Sequence, residues 1–217
     1  MKALEPLLDL LFPPHCPFCG AIQDHPGICP ECSAKLPRAE GKDGLREGAG
    51  YGRCAFAVYY EGDVRESLLR FKFGGRPFYA AVYGPMLAGC VTLRDADLVT
   101  FVPVSRLRRF SRGYDQAELL AQETAKTLGL PCAPTLTHRH TKRQSRMRDA
   151  AARRANVSGA FSLRPGTDVA GKRILLIDDI CTTGATMAEA ARVLRTAGAE
   201  CVRGAVLAVT DETKNSR

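Results

Sequence analysis

Ile174-Leu-Leu-Ile-Asp-Asp-Ile-Cys-Thr-Thr-Gly-Ala-Thr186 is the stretch on which the fold turns. Four aliphatic residues in succession fit a strand buried on both faces, as in a parallel sheet. The run ends in two carboxylates and a turn of small residues, after which Met187-Ala-Glu-Ala-Ala-Arg-Val-Leu194 takes up helical spacing. In a strand–turn–helix unit the N–H groups of the turn and the helix N-terminus converge on one point, an anion site of phosphate size. Asp178 and Asp179 cannot themselves bind phosphate, so they face another part of the ligand: sugar hydroxyls, or a metal that the ligand carries. Phosphate beside a diol is the outline of a ribose 5-phosphate. A Walker B strand shares the aliphatic–Asp–Asp pattern. The Walker A candidate, Gly166-Thr-Asp-Val-Ala-Gly-Lys-Arg173, has Arg173 where Ser or Thr must reach magnesium, and it precedes a strand instead of following one.

The 217 residues, 45% hydrophobic and 25% charged, suit one core of ordinary size plus a small appendage. Met1-Lys-Ala-Leu-Glu-Pro-Leu-Leu-Asp-Leu-Leu-Phe12 is apolar but broken by Glu5 and Asp9. It reads as a short amphipathic helix and not as a signal peptide. No apolar run approaches the ~20 residues of a membrane span. A cytoplasmic location is expected, where the nine cysteines stay reduced unless a metal holds some of them. The net charge of +8 is concentrated: Pro103 to Val157 carries twelve Lys and Arg against four Asp and Glu, which is the whole excess. Such basicity belongs to a site, one that suits pyrophosphate, nucleic acid, or both.

Cys16-Pro-Phe-Cys19 and Cys29-Pro-Glu-Cys32 form two C-x-x-C knuckles nine residues apart. Two such turns facing each other complete a tetrahedral set of four thiolates, and spacing and compartment favour structural zinc on Cys16, Cys19, Cys29 and Cys32. Residues 37–53 contain five glycines and little apolar material, and read as a flexible connection. Beyond it the pattern predicts a strand at Cys54–Tyr60, a helix from Asp63 to Phe73 capped by Asp63, and a further helix from Phe78 to Leu93. Strands at Leu98–Val104, Pro131–Leu136, Ile174–Asp178 and Val202–Val209 then alternate with helices at Tyr114–Leu128 and Met187–Ala197. The expected fold class is α/β, a parallel doubly wound sheet flanked by helices with ligands at the strands' carboxyl ends. The expected division is residues 1–53 (N-terminal helix, zinc unit and connection), 54–95 (a linking α/β segment), 96–210 (the main domain) and 211–217 (a polar tail).

Two basic constellations belong to the same crevice. Val102-Pro-Val-Ser-Arg106-Leu-Arg-Arg-Phe-Ser-Arg112-Gly-Tyr-Asp-Gln116 leaves the first main-domain strand at its carboxyl end. Guanidinium groups bind phosphoryl oxygens in bidentate fashion, which makes Arg106 and Arg112 candidates for pyrophosphate. Residues 137–158 are too long and too polar for a mere connection. Arg139, Arg143, Arg148 and Arg154 there suit a lid drawn by its cations over a polyanion, excluding water from a reactive centre.

The run Ile174–Thr186 closely resembles the 5-phosphoribosyl 1-pyrophosphate (PRPP) motif of type I phosphoribosyltransferases. The resemblance implies that Asp178 and Asp179 contact the ribose hydroxyls as the catalytic acidic pair. It implies equally that Thr182, Thr183, Gly184, Ala185 and Thr186 hold the 5-phosphate, with Mg2+ accompanying PRPP. Taken with the knuckles, with Tyr60, Gly62, Arg65 and Lys72, with Arg112-Gly-Tyr-Asp-Gln-Ala-Glu-Leu-Leu120, and with Gln144, Arg154-Ala-Asn-Val157 and Gly159-Ala-Phe161, the chain resembles the ComF proteins. These are competence-associated members of the phosphoribosyltransferase-like group. That resemblance implies a part in DNA uptake, with single-stranded DNA or a competence helicase as partners. Two departures stand out. Many relatives carry a second pair of knuckles, absent from residues 37–53 here, so one zinc is expected. Purine-salvage members hold a carboxylate base where this chain has Thr182, which disfavours a 6-oxopurine acceptor.

Overall fold

The computed structural model describes residues 13–38, 44–48, 51–91, 96–139 and 158–210. The expected N-terminal helix, the tail, and Arg143, Arg148 and Arg154 lie outside them. In chain order the elements are helix α1 (Pro30–Lys35), strands β1 (Leu45–Gly48) and β2 (Gly52–Tyr59), helices α2 (Gly62–Phe73) and α3 (Ala80–Cys90) and strand β3 (Leu98–Phe101). Helices α4 (Arg106–Arg112) and α5 (Gln116–Leu128), strands β4 (Leu136–His138), β5 (Phe161–Leu163) and β6 (Arg173–Cys181), helix α6 (Ala185–Thr196) and strand β7 (Cys201–Val209) complete the fold.

Five strands form one sheet in the order β1-β2-β7-β6-β3. β2, β7, β6 and β3 run parallel, and β1 closes one edge antiparallel to β2. β6 lies between β7 and β3, and alternation sends its residues to two cores. Leu175 and Ile177 join the face covered by α3 and α5, while Ile174 and Leu176 join the face covered by α6. This double burial explains the unbroken aliphatic run; fully burying each such side chain contributes about 1.5–3 kcal/mol. Among the described residues no helix is long and apolar enough to cross a membrane.

The elements depart from expectation at several points, each with a local cause. β6 continues through Cys181, so both aspartates lie within the strand and not after it. Leu45–Gly48, inside the stretch read as a flexible connection, is a strand paired with β2, and Gly52 at φ 68° shapes the turn between them. α2 is capped at Glu61, not at Asp63, which falls within its first turn. Arg106–Arg112 is helical because Ser105 caps it, accepting from the Arg108 N–H at 3.4 Å, and Gly113 in the left-handed region ends it. The strand expected at Pro131–Leu136 reduces to a bridge between Cys132 and Val99; Leu136–His138 pairs instead with β5 in a separate two-stranded ladder.

The cysteine segment is docked on the main body. Cys16, Phe18, Cys29 and Cys32 belong to the same apolar cluster as Leu68, Phe71 and Tyr83. Ser67 Oγ donates to the carbonyl of Pro17, and Arg70 Nη2 donates to the carbonyls of Pro17 and Phe18 at 3.1 and 2.7 Å.

The tightest helix contact sets a testable limit. A Cβ at Gly84 of α3 would stand 2.4 Å from Glu123 Cβ and 2.8 Å from the Glu123 carbonyl carbon of α5. Alanine normally favours a helix over glycine by about 1 kcal/mol. Here the overlap wins, and Gly84→Ala is expected to lower the unfolding free energy by about 1–3 kcal/mol in urea titration. An unchanged or raised midpoint would show that the two helices have room to spare.

Candidate functional site

β6 delivers Asp178 and Asp179 to the carboxyl edge of the sheet, beside the end of β3, where the Val102 N–H donates to the Ile177 carbonyl at 2.9 Å. Alternation sends the two carboxylates to opposite sides of the sheet. Asp179 is 8% exposed. Asp178 is partly exposed, and its Oδ1 accepts the N–H of Asp179 at 2.8 Å. Desolvation first, and the neighbouring Asp179 second, push the Asp178 carboxyl well above the ordinary carboxylate range. A carboxyl in that state gains from any cation brought near it.

The turn that follows is built on Gly184. Its φ of 73° is left-handed, and a Cβ there would lie 2.5 Å from the Tyr51 hydroxyl. Both demands exclude a side chain. Tyr51 is buried beneath the turn, its hydroxyl 3.8 Å from Cys181 Sγ, and burial holds its phenol neutral by pushing its pKa up. Thr183 Oγ1 accepts from the Ala185 N–H at 3.5 Å, and no side chain caps α6. Thr182 is exposed, whereas Thr183, Ala185 and Thr186 are half-buried around the helix start. The structure therefore gathers all five turn residues at one helix N-terminus adjoining the acidic pair, where the orphan N–H groups are of the kind that suits an anion.

A cation enters from elsewhere in the chain. Lys72 Nζ of α2 lies 2.9 Å from Asp179 Oδ1. Sequence patterning alone missed this, because nothing in α2 signals a partner more than a hundred residues away. The Arg112–Gln116 segment acts as a clasp around the same place. Tyr114 donates its hydroxyl to the Phe71 carbonyl and accepts from the Arg76 N–H at 3.2 Å. Asp115 caps α5 through the N–H groups of Ala117 and Glu118 and also takes the Val104 N–H at 2.9 Å.

The remaining basic candidates are placed less uniformly. Arg106 is exposed at the first position of α4. Arg112 already has partners: Nη1 donates to Gln116 Oε1 at 2.9 Å, and its guanidinium lies 4.7 Å from the centre of the Phe73 ring. Arg139 is exposed, and its N–H donates to the Ala160 carbonyl at 2.7 Å. The described chain follows β4 as far as Arg139 and resumes at residue 158 ahead of β5; Arg143, Arg148 and Arg154 lie between, outside the described residues. Just before β5 the Gly159 N–H donates to Glu189 Oε1 of α6 at 2.7 Å, and Arg192 holds that carboxylate with two bonds of 2.8 Å.

The two knuckles meet as their spacing demands. Ligand sulfurs of Cys16, Cys19, Cys29 and Cys32 all lie within 4.8 Å of one another, with Cys19 Sγ and Cys29 Sγ 3.6 Å apart. A tetrahedral zinc with Zn–S bonds of about 2.3 Å needs sulfurs about 3.8 Å apart, so the donor set fits. Burial opposes ionisation of Cys16, but amide donors from Cys19, Cys29 and Phe18 outweigh it and bring the thiol down to about 7. Cys54 takes no part; it packs against Gly204 on the α6 side of the sheet. Because the cysteines also belong to the main apolar cluster, Cys32→Ser is expected to abolish stoichiometric zinc by elemental analysis and to lower Tm by about 5–10 °C. Full zinc retention with an unshifted Tm would refute the assignment.

Residues 115–217 match the family model described as phosphoribosyl transferase domain, and residues 7–42 match that described as double zinc ribbon domain. The four cysteines within that second span make one set of thiolates. The chain is similar to competence protein F of Haemophilus influenzae, 28% identical over 202 residues, which cover 86% of this chain and 81% of that protein. It is 29% identical over 199 residues to the DNA utilization protein YhgH of Salmonella typhimurium, covering 87% of this chain and 81% of that one. Competence protein ComFC of Bacillus subtilis is 29% identical over 183 residues, covering 82% and 70%. These similarities run through the cysteine segment and the sheet in one order, so the chain is similar over most of its length to the competence protein F, ComFC and YhgH proteins, with a phosphoribosyltransferase-type domain behind a zinc-ribbon segment.

Proposed function

We propose that the crevice at the carboxyl ends of β3 and β6 binds PRPP as its magnesium complex. The observation that carries this reading is the junction itself: two carboxylates lie near the carboxyl end of β6, and an uncapped helix N-terminus with Gly184 pressed on Tyr51 follows within a few residues. The 5-phosphate then rests on Thr182–Thr186 and the ribose diol on Asp178 and Asp179. The pyrophosphate is met by Arg106, Arg112 and the segment bearing Arg139, Arg143, Arg148 and Arg154. Magnesium, when bound, neutralises part of the pyrophosphate charge, and the desolvated acidic pair suits it. Transfer of phosphoribose to an acceptor forms a bond at C1 while the C1–O bond to pyrophosphate breaks, the electron pair leaving with the pyrophosphate. The chain's part in that step is electrostatic stabilisation of the departing charge. The names of the relatives point to competence and DNA use as the setting.

Calorimetry with magnesium-PRPP is expected to show saturable binding, and Asp179→Asn to weaken it by about tenfold or more, since charge-assisted hydrogen bonds to the diol become neutral ones. No heat from the wild type, or unaltered affinity in Asp179→Asn, would reject the reading.

A second reading, binding of single-stranded DNA, is favoured by a surface that involves two distant segments. Phe110 is 89% exposed on α4, with Phe73 at 66% and Phe78 at 53%. Arg112 stacks on Phe73, and Arg76 lies 5.8 Å from the centre of the Phe78 ring. The basic region alone offered only Phe110 and Tyr114, and Tyr114 is committed to the clasp; the fold supplies the other rings. Aromatic faces between guanidinium groups are what bases stack on. In gel shifts with single-stranded DNA, affinity is expected to fall steeply with salt. The Phe73→Ala/Phe110→Ala variant should lose about tenfold, as stacking is worth about 1–3 kcal/mol per base. A flat salt response or an unaffected double variant would reject the surface.

A further inference from the structure

Lys72 faces the acidic pair, yet the PRPP reading gives it no task. Its position is tightly determined. α2 is tied to the first cysteine knuckle by Ser67 and Arg70. One turn further on, Phe71 is fully buried against the rings of Tyr83 and Tyr114, with centroids 5.4 and 5.9 Å away, and its carbonyl is held by the Tyr114 hydroxyl. The next residue reaches Asp179 Oδ1 at 2.9 Å, with the two side chains only 18% and 12% exposed. In an ion pair so screened from water, removal of one partner leaves the other charge uncompensated.

The electrostatics around the pair are uneven. Asp178, Asp179 and Asp115 converge at this end of the sheet. Three amide N–H groups serve Asp115, from Val104, Ala117 and Glu118. Lys72 pairs with Asp179, and its charge also acts on Asp178 beside it. A metal-bound diol arriving at Asp179 brings positive charge to the oxygen that the ammonium occupies, and like charges at that range repel. Lysine has a flexible four-carbon stem and can turn away, and the anion delivered by the same ligand is its pyrophosphate.

Resting on the PRPP reading, we propose that Lys72 is an exchange cation: it neutralises Asp179 in the ligand-free crevice, then yields that carboxylate to the metal-bound diol and turns its ammonium to the pyrophosphate. The consequence is a pair of effects with opposite signs. Without the ammonium, a divalent cation alone meets no competitor for Asp179. The PRPP complex, by contrast, loses a contact.

The test uses the full-length, zinc-loaded protein as wild type, Lys72→Met, Lys72→Gln and Lys72→Arg, each first shown to melt cooperatively. Mn2+ alone is titrated by electron paramagnetic resonance and magnesium-PRPP by calorimetry. Both neutral variants are expected to bind Mn2+ about tenfold more tightly and magnesium-PRPP about tenfold more weakly, while Lys72→Arg stays near wild type in both. A residue that only supported the fold would weaken both ligands together, and that result would overturn the proposal. Unaltered Mn2+ affinity, or magnesium-PRPP bound as tightly as by wild type, would overturn it equally. If the wild type fails to bind magnesium-PRPP, the PRPP reading falls, and the Mn2+ titration still decides whether Lys72 competes for Asp179.

Discussion

Everything in this fold depends on β6 being apolar on both faces up to Ile177 and then, within the same strand, becoming acidic. The aliphatic part joins the two cores, one under α3 and α5 and the other under α6. The acidic part costs stability, because desolvation raises the Asp178 carboxyl above its ordinary range and Asp179 has a half-buried ammonium as its partner. A strand held this firmly can carry that cost. The same two residues at the end of an edge strand would have let the strand fray. The ladder to β7 instead runs on to Cys181, which keeps both carboxylates in a fixed register.

The sequence made the central part of this arrangement readable because it is local. Strand, acidic pair, small turn and helix occupy one stretch, and each element declares itself by period or by residue type. The knuckles were equally readable, since the spacing of two C-x-x-C turns is itself the geometry of a four-thiolate site. What remained hidden was non-local. Tyr51 comes from a glycine-rich stretch without apolar periodicity, yet its ring sets how closely the turn packs at Gly184. Lys72 reads as an ordinary cation in the last turn of an amphipathic helix, and only the packing of α2 turns it toward Asp179. Phe73 and Phe78 lie well outside the basic region, so counting aromatics within that region undervalued the surface. Boundaries failed where capping overrode pattern: Ser105 and Gly113 make a helix of residues that look like a loop, and β6 outlasts its aliphatic run.

The clasp Arg112-Gly-Tyr-Asp-Gln116 shows how one short motif can serve several structural purposes at once. Gly113 ends α4 and Asp115 starts α5, so one helix gives way to the next within three residues. Tyr114 meanwhile fastens the end of α2, and Arg112 is braced by Gln116 and Phe73. A guanidinium already stacked and hydrogen-bonded loses little side-chain entropy on meeting an anion, which favours Arg112 over the freely exposed Arg106 as a fixed recognition point.

Helix α2 relates the cysteine unit to the crevice. On one side Ser67 and Arg70 read the backbone carbonyls of the first knuckle, so what they recognise is the conformation of the turn and not its side chains. That conformation is the one the metal-ligating thiolates impose, because amides of the same turns also point at the sulfurs. Two residues beyond Arg70, in the last turn of the same helix, Lys72 meets Asp179. Within one rigid helix a displacement at Ser67 and Arg70 passes to Lys72, whereas a glycine-rich tether would absorb it. The cysteine unit is therefore joined through α2 to the acidic edge that β6 presents.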